Sequence, residues 1–372
     1  MTDDVYPEPD RVDGAPHPRD TVQLVGQDSA QSEFLTAFGS DRLHHGWLLT
    51  GPRGVGKATL AWAMARFLLA TPLVDANDMF GAPPAPTSLR IDPDHPVARR
   101  MAAGSEPGLF VLRRPYDEKT KKLRQQITVD EVRRLKSFFS MSATDGGRRV
   151  VIVDAADELN TNAANALLKL LEEPPARTTL LLVSHQPTRL LPTIRSRCRE
   201  VRLGPLSAPD MAVALAQAGA DANASPQALA QLSGGSVGEA IRLLNLGGVQ
   251  IYTELMALLD TLPRLDRPRA LKLAEAAATR GADDKLDLLI TLLDLALARL
   301  ARTGVTGHPP PEAIANEAAI LSRLAPSAQK GRAWASAAQE IGARLQHGRA
   351  VNLDPAALVL DTFFKFQHIA AG

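Results

Sequence analysis

The chain has 372 residues, 45% of them hydrophobic and 22% charged, enough for two or three domains with a sizeable buried core. Its 42 basic and 41 acidic residues leave a net charge of +1, which argues against holding nucleic acid by bulk electrostatics but leaves room for a local basic patch. One cysteine, Cys198, excludes a disulfide scaffold and an all-cysteine zinc site within the chain.

Residues 1–19 carry four prolines and five acidic residues but no apolar run, so the expectation is a disordered tail over 1–20 with no secretory signal. No later stretch has the roughly 18–20 apolar residues of a membrane span. The implied setting is a reducing cytoplasm with no membrane partner. Ser29 to Phe38 reads as a short helix, and Trp47-Leu48-Leu49, stopped by Gly51, as a buried strand. From Lys57 to Ala70 the residues Leu60, Ala61, Met64, Phe67 and Leu68 recur at helical spacing. The stretch 81–107 holds six prolines and reads mostly as loop, followed by a strand over Leu109–Leu112. Thr128-Val129-Asp130-Glu131 is a capping box that opens a helix with Val132, Leu135, Phe138 and Phe139 on one face. Val150–Val153 is a strand buried on both faces. Thr161 is expected to cap a helix ended by Pro174-Pro175, and Thr179–Val183 is a third core strand. Strands alternating with helices at this spacing imply a parallel sheet covered by helices. After Pro205 alanine and leucine dominate, with breaks at Gly234-Gly235, Pro263, Pro268, Gly281 and Pro309–Pro311. The plan is α/β plus all-α: one parallel-sheet domain over 21–204, a small helical domain over 205–248, and a helical domain over 249–372.

Gly51-Pro52-Arg53-Gly54-Val55-Gly56-Lys57 lies between a strand and a helix and fits G-x-x-x-x-G-K. Such a loop turns backbone amides and a lysine toward phosphate oxygens. The motif asks next for Ser or Thr, whose hydroxyl binds Mg²⁺, and the chain has Ala58. Thr59 is no substitute, since one helical step rotates a side chain by about 100° and lifts it about 1.5 Å. Asp154 ends the strand Val150–Val153, where a carboxylate at the carboxyl end of a parallel strand faces the ligand crevice. Hydrolysis needs a carboxylate that activates water, usually the next residue, and here that is Ala155, followed by Asp157 and Glu158 in a loop. Gly51, Gly54, Gly56, Lys57, Thr59 and Asp154 are therefore the candidate nucleotide-binding residues, with no metal ligand set. In Thr193-Ile194-Arg195-Ser196-Arg197-Cys198 an arginine either lies on a solvated face or projects to a phosphate on a neighbouring chain.

These blocks, with Asn165 to Leu171 running into Glu172-Glu173-Pro174-Pro175, occur in an order that resembles subunits of the bacterial DNA polymerase III clamp loader, of the AAA+ family. The resemblance covers about residues 21–245. It implies a P-loop AAA+ core, a helical lid and a C-terminal helical collar that packs subunits into a ring. It also implies gamma/tau and delta subunits as partners, with the sliding clamp and primer-template DNA met through the complex. In the family the Ser-Arg-Cys arginine, here Arg197, serves as an arginine finger acting in trans on the adjacent motor subunit. Motor subunits carry a third feature, an arginine in the lid, and that position falls on Gly238, with Arg242 off the motif. Three parts of a hydrolysis site are thus missing, which implies a stator that holds ATP or ADP weakly or vestigially and has no catalytic residue in cis. The alternatives are an active AAA+ ATPase, such as the gamma/tau motor or a helicase loader, and a P-loop kinase or transferase. The family often carries a four-cysteine zinc module between the P-loop helix and the Asp154 strand; residues 71–127 have no cysteine, His95 alone makes no site, and no structural zinc is expected. Ser184 and His185 stand where the family has a nucleotide-sensing polar residue. Lys119, Lys121, Lys122 and Arg124 form a basic stretch read as a solvated loop or a DNA contact, His44-His45 as surface or packing residues, and Cys198 as a small apolar one.

Overall fold

The computed structural model describes residues 8–40, 42–72, 85–140, 147–220, 225–279, 283–351 and 353–372. They form two compact units, residues 1–219 with 236–238, and residues 220–235 with 239–372.

The first unit runs α1 (Asp28–Gly39), β1 (Gly46–Thr50), α2 (Lys57–Ala70), α3 (Pro96–Ala102), β2 (Leu109–Arg113), β3 (Tyr116–Asp117), β4 (Lys122–Leu123), α4 (Val129–Ser140), β5 (Arg149–Asp154), α5 (Thr161–Glu172), β6 (Thr178–Ser184), α6 (Pro192–Arg195), β7 (Arg199–Arg202) and α7 (Ala208–Gln217). The five-stranded sheet has the order β2-β5-β6-β1-β7 with all pairs parallel. The expected parallel sheet is present, with Trp47 of β1 in register with Leu181 of β6 on one side and Arg199 of β7 on the other. Val151, Val153, Leu180 and Leu182 pack on one face against Leu135 and Phe138 of α4 and Leu167 and Leu171 of α5. Because side chains alternate along a strand, Trp47, Val150, Ile152 and Leu181 serve the other face. There Phe34 stacks edge-on to Trp47 and Phe67.

Several local readings change. Residues 8–20, expected in a disordered tail, are held in place: His17 is buried and Pro18–Asp20 form a 3-10 turn. Their polar groups find charged partners far away in sequence, which composition does not reveal. Residues 1–7 lie outside the described residues. Within the proline-rich stretch, His95 caps α3 through Nδ1, which accepts from the Val97 amide at 3.2 Å; 73–84 lie outside the described residues. Asn160, not Thr161, caps α5, its side chain accepting from the Ala163 amide at 2.9 Å. The basic stretch is the tip of the β3–β4 hairpin, and Lys119, Lys121, Lys122 and Arg124 are all exposed.

The second unit is helical: α8 (Pro226–Leu232), α9 (Val237–Leu246) from Glu239 on, α10 (Gly248–Asp260), α11 (Arg267–Ala277), α12 (Asp283–Thr306), α13 (Glu317–Leu324), α14 (Ala328–Ala350) and α15 (Pro355–Ala371). Helices α12 and α14 approach so closely that a Cβ on Gly304 would lie 2.6 Å from Gly331 Cα. One buried charge organises this unit. Glu317, fully buried, accepts from Tyr252 Oη at 2.5 Å and from Arg299 Nε at 2.7 Å through Oε1. Its Oε2 accepts from Arg299 Nη2 at 3.0 Å and from the Ala313 amide at 2.7 Å. Arg299 Nη2 also donates to Pro311 O at 2.6 Å, so the pair ties α10, α12 and α13 to the triproline break. Burial and the adjacent Glu317 carboxylate push the Tyr252 hydroxyl far up. Breaking such a pair strands a buried cation. Glu317→Ala is therefore expected to destabilise the chain by about 3–5 kcal/mol, read as a lower urea midpoint with little change in slope. Tyr252→Phe should cost about 1 kcal/mol.

Candidate nucleotide site

The loop Gly51–Gly56 joins the buried strand β1 to α2, whose first residue is Lys57. Its glycines are required by contact. Gly51 has φ +142°, and a Cβ there would lie 2.3 Å from Leu203 O. Gly54 has φ +75°, and a Cβ would lie 2.2 Å from Ser236 Oγ. Gly56 precedes α2 without a side-chain cap, so amides of the first turn remain open to an acceptor.

Lys57 is buried, and its Nζ donates to Gly51 O at 2.8 Å and to Pro52 O. Burial lowers its pKa to about 8, against the pull of Asp154 and Asp157 and with the push of Arg53. Asp154, at the carboxyl end of β5, is 6% exposed. Burial, then the Asp10 and Glu158 carboxylates, raise it to about 7, against Lys57 and Arg113. The P-loop glycines, Lys57 and Asp154 are therefore brought together as expected. Thr59 lies half-buried in the first turn of α2, turned from Ala58 by about 100°.

The positions expected to serve hydrolysis carry other groups, or carboxylates bound to other partners among the described residues. Ala155 is a buried methyl. Asp157 Oδ1 accepts from the His185 amide at 2.9 Å, and Glu158 pairs with Arg114 Nε at 2.6 Å. The Gly238 amide donates to Gly54 O at 3.2 Å, and a Cβ on Gly238 would sit 3.2 Å from Gly54 Cα. The position expected for an arginine is thus occupied by backbone packed on the loop. Arg242 is bound to Glu239 at 3.1 Å and to Asp284 O at 3.4 Å. Ser184 Oγ and His185 Nδ1 are buried at the end of β6 with no hydrogen-bond partner among the described residues. Burial, then the Lys57 and Arg53 cations, hold His185 down at about 4, so it is a neutral acceptor or donor at neutral pH.

Arg197 lies elsewhere. It precedes β7, whose first residue pairs with Trp47 near the start of β1, and its carbonyl oxygen lies 3.2 Å from where a Gly46 Cβ would be. In a parallel sheet this is the amino end of the strands, about 15 Å along β1 from the P-loop at about 3.3 Å per residue. Its guanidinium is partly exposed, bonded to Thr193 O at 3.1 Å and paired with Glu172 at 2.9 Å. Arg199 pairs with Glu33 and stacks on Trp47. Burial pushes the Cys198 thiol up to about 12, which suits an inert packing residue.

A relative from Escherichia coli (strain K12), DNA polymerase III subunit delta', is 32% identical over 271 residues, 72% of this chain and 74% of that protein. The chain belongs to the DNA polymerase III delta-prime family. A family profile described as DNA polymerase III, delta subunit, matches residues 26–207. The delta' subunit of Pseudomonas aeruginosa is 44% identical over 154 residues, and this match spans 41% of either chain. A gamma/tau subunit from Mycobacterium bovis is 30% identical over 187 residues, 48% of this chain and 28% of that protein. The family profile falls within the P-loop unit, where this chain keeps the loop and Asp154 but has alanine at positions 58 and 155.

The raised pKa of Asp154 has a signed consequence. Between its ordinary value near 3.8 and about 7 the folded chain holds a proton that the unfolded chain has lost. This group therefore withdraws stability as pH rises through that window. Asp154→Asn should be more stable than the parent at pH 8 by on the order of 1–3 kcal/mol. The gain should shrink toward zero at pH 4, measured by urea denaturation at both pH values.

Proposed function

We propose that this chain is a non-hydrolysing stator subunit of the DNA polymerase III clamp loader, helping load the sliding clamp onto primed DNA. It completes a neighbour's ATPase site with Arg197. The observation that carries the reading is the division of labour across one sheet. The carboxyl-end crevice has the loop but not the Mg²⁺ hydroxyl, the water-activating carboxylate or the lid arginine. The opposite end offers an accessible guanidinium about 15 Å from the chain's own P-loop, too far to serve it. A guanidinium supplied from another chain stabilises the charge that develops on a transferring phosphoryl group.

In this reading the partners are gamma/tau motor subunits, which receive Arg197, together with a delta subunit. Clamp and primer-template DNA are met in the assembled ring, and the helical second unit joins the collar. ATP or ADP at the degenerate loop is vestigial. The motor alternative requires groups that Ala58, Ala155 and Gly238 do not carry. Losing one such group removes orders of magnitude in rate, and three losses leave no useful turnover.

Two measurements test this. The purified chain should show no ATP turnover approaching the roughly 1 s⁻¹ of working enzymes. In a reconstituted complex, Arg197→Ala should slow hydrolysis at the site it serves by about 10³-fold or more. Arg197→Lys should rescue poorly, because an ammonium lacks the planar fork. Unchanged hydrolysis in both variants would remove the trans role.

A further inference from the structure

We propose that residues 8–12 act as a built-in plug of the nucleotide crevice, so that a nucleotide enters only when this segment leaves. The inference rests on reading the crevice as a nucleotide-type site, and goes beyond it by naming what fills the site instead.

The segment meets both sides of the crevice. On one side, Arg113 at the carboxyl end of β2 is the register partner of Asp154. It binds Asp10 Oδ1 through Nη1 at 3.1 Å and Glu8 Oε1 through Nη2 at 2.5 Å. On the α2 side, Trp62 Nε1 donates to Asp10 Oδ2 at 3.3 Å. On the P-loop side, a Val12 methyl lies 3.4 Å from where a Gly238 Cβ would be, against the backbone that touches Gly54. Residues 8–12 thus run from the strand ends that carry Asp154 to the contact over the P-loop.

Residues 17–21 pin the segment. His17 Nδ1 accepts from the Arg19 amide at 3.0 Å, and Nε2 lies between Glu8 Oε2 at 3.1 Å and Asp10 Oδ2 at 3.2 Å. Arg19 holds Glu8 at 2.6 Å and lies 5.9 Å over the Trp62 ring. Arg66 of α2 is buried and donates to the carbonyls of Arg19 and Thr21. The side chain of Asp10 is fully buried. An acidic segment fixed at a nucleotide crevice opposes a triphosphate twice: it takes up space, and it sets two carboxylates beside the Asp154 end where like charge repels.

The experiment measures binding of a fluorescent ADP analogue by anisotropy. It uses the full chain, the variant Glu8→Gln with Asp10→Asn, and a chain lacking residues 1–12. Tryptophan emission, to which Trp62 contributes, reports whether the segment has left. The expected result is a dissociation constant at least tenfold lower in the altered chains than in the parent, with a red shift of emission. Equal binding by parent and altered chains overturns the plug. So does a red-shifted chain that still fails to bind. If the truncated chain loses its circular dichroism, the paired substitution, which preserves side-chain size, decides alone. The readout is binding without turnover, so the result is independent of whether Arg197 serves a neighbour: a plug that fails leaves the stator reading standing, and an Arg197 that fails leaves the plug standing.

Discussion

A buried lysine and a buried aspartate share a crevice in which alanine stands at position 58 where a phosphate loop usually has a hydroxyl. In a working P-loop the lysine, the Mg²⁺ and the strand-end carboxylate share the charge of a triphosphate. Here Lys57 donates to carbonyls of its own loop, and its pKa falls to about 8. Asp154 rises to about 7, so near neutrality the two approach a common proton affinity. Desolvation drives both shifts in the direction that lowers charge. Burial therefore disfavours charge on both groups, and the neighbouring carboxylates are bound by other partners: Asp157 by the His185 amide and Glu158 by Arg114.

Much of the sheet was readable from sequence because its strands are extreme. Val150–Val153 and Thr179–Val183 are buried on both faces, and a continuous β-branched or leucine run leaves few other readings. The phosphate loop was readable because Gly51, Gly54 and Gly56 meet backbone conformations and close approaches that demand glycine. Strand β7 escaped notice for the opposite reason. Arg199-Glu200-Val201-Arg202 sits at the sheet edge with only Val201 buried, and its arginines looked like a charged run. Helix α3 hid among prolines, one of which, Pro96, opens it.

The site itself was legible in its losses more than in its contents. Ala58, Ala155 and Gly238 are read directly off the chain. Gly238 is not merely an absent arginine, however: its amide bonds to the P-loop at 3.2 Å. Nor does composition show that Glu8 and Asp10 would find Arg113 and Trp62 about a hundred and about fifty residues away. A proline-bearing acidic stretch is disordered unless distant cations and a buried ring hold it, and that is a fact of tertiary structure.

The ion pair of Arg197 with Glu172 differs in depth from the one that organises the helical unit. The pair is partly exposed on both sides, so it contributes roughly 0–1 kcal/mol. It orients the guanidinium at little energetic depth. A phosphate group, with more charge and a geometry that matches the planar fork, competes readily for the same donors. Glu317 and Arg299 are the contrast, a pair buried so fully that neither partner can leave without stranding the other. The chain keeps its deep ion pair where three helices meet, and its shallow one at the arginine that the proposed reading offers to another molecule.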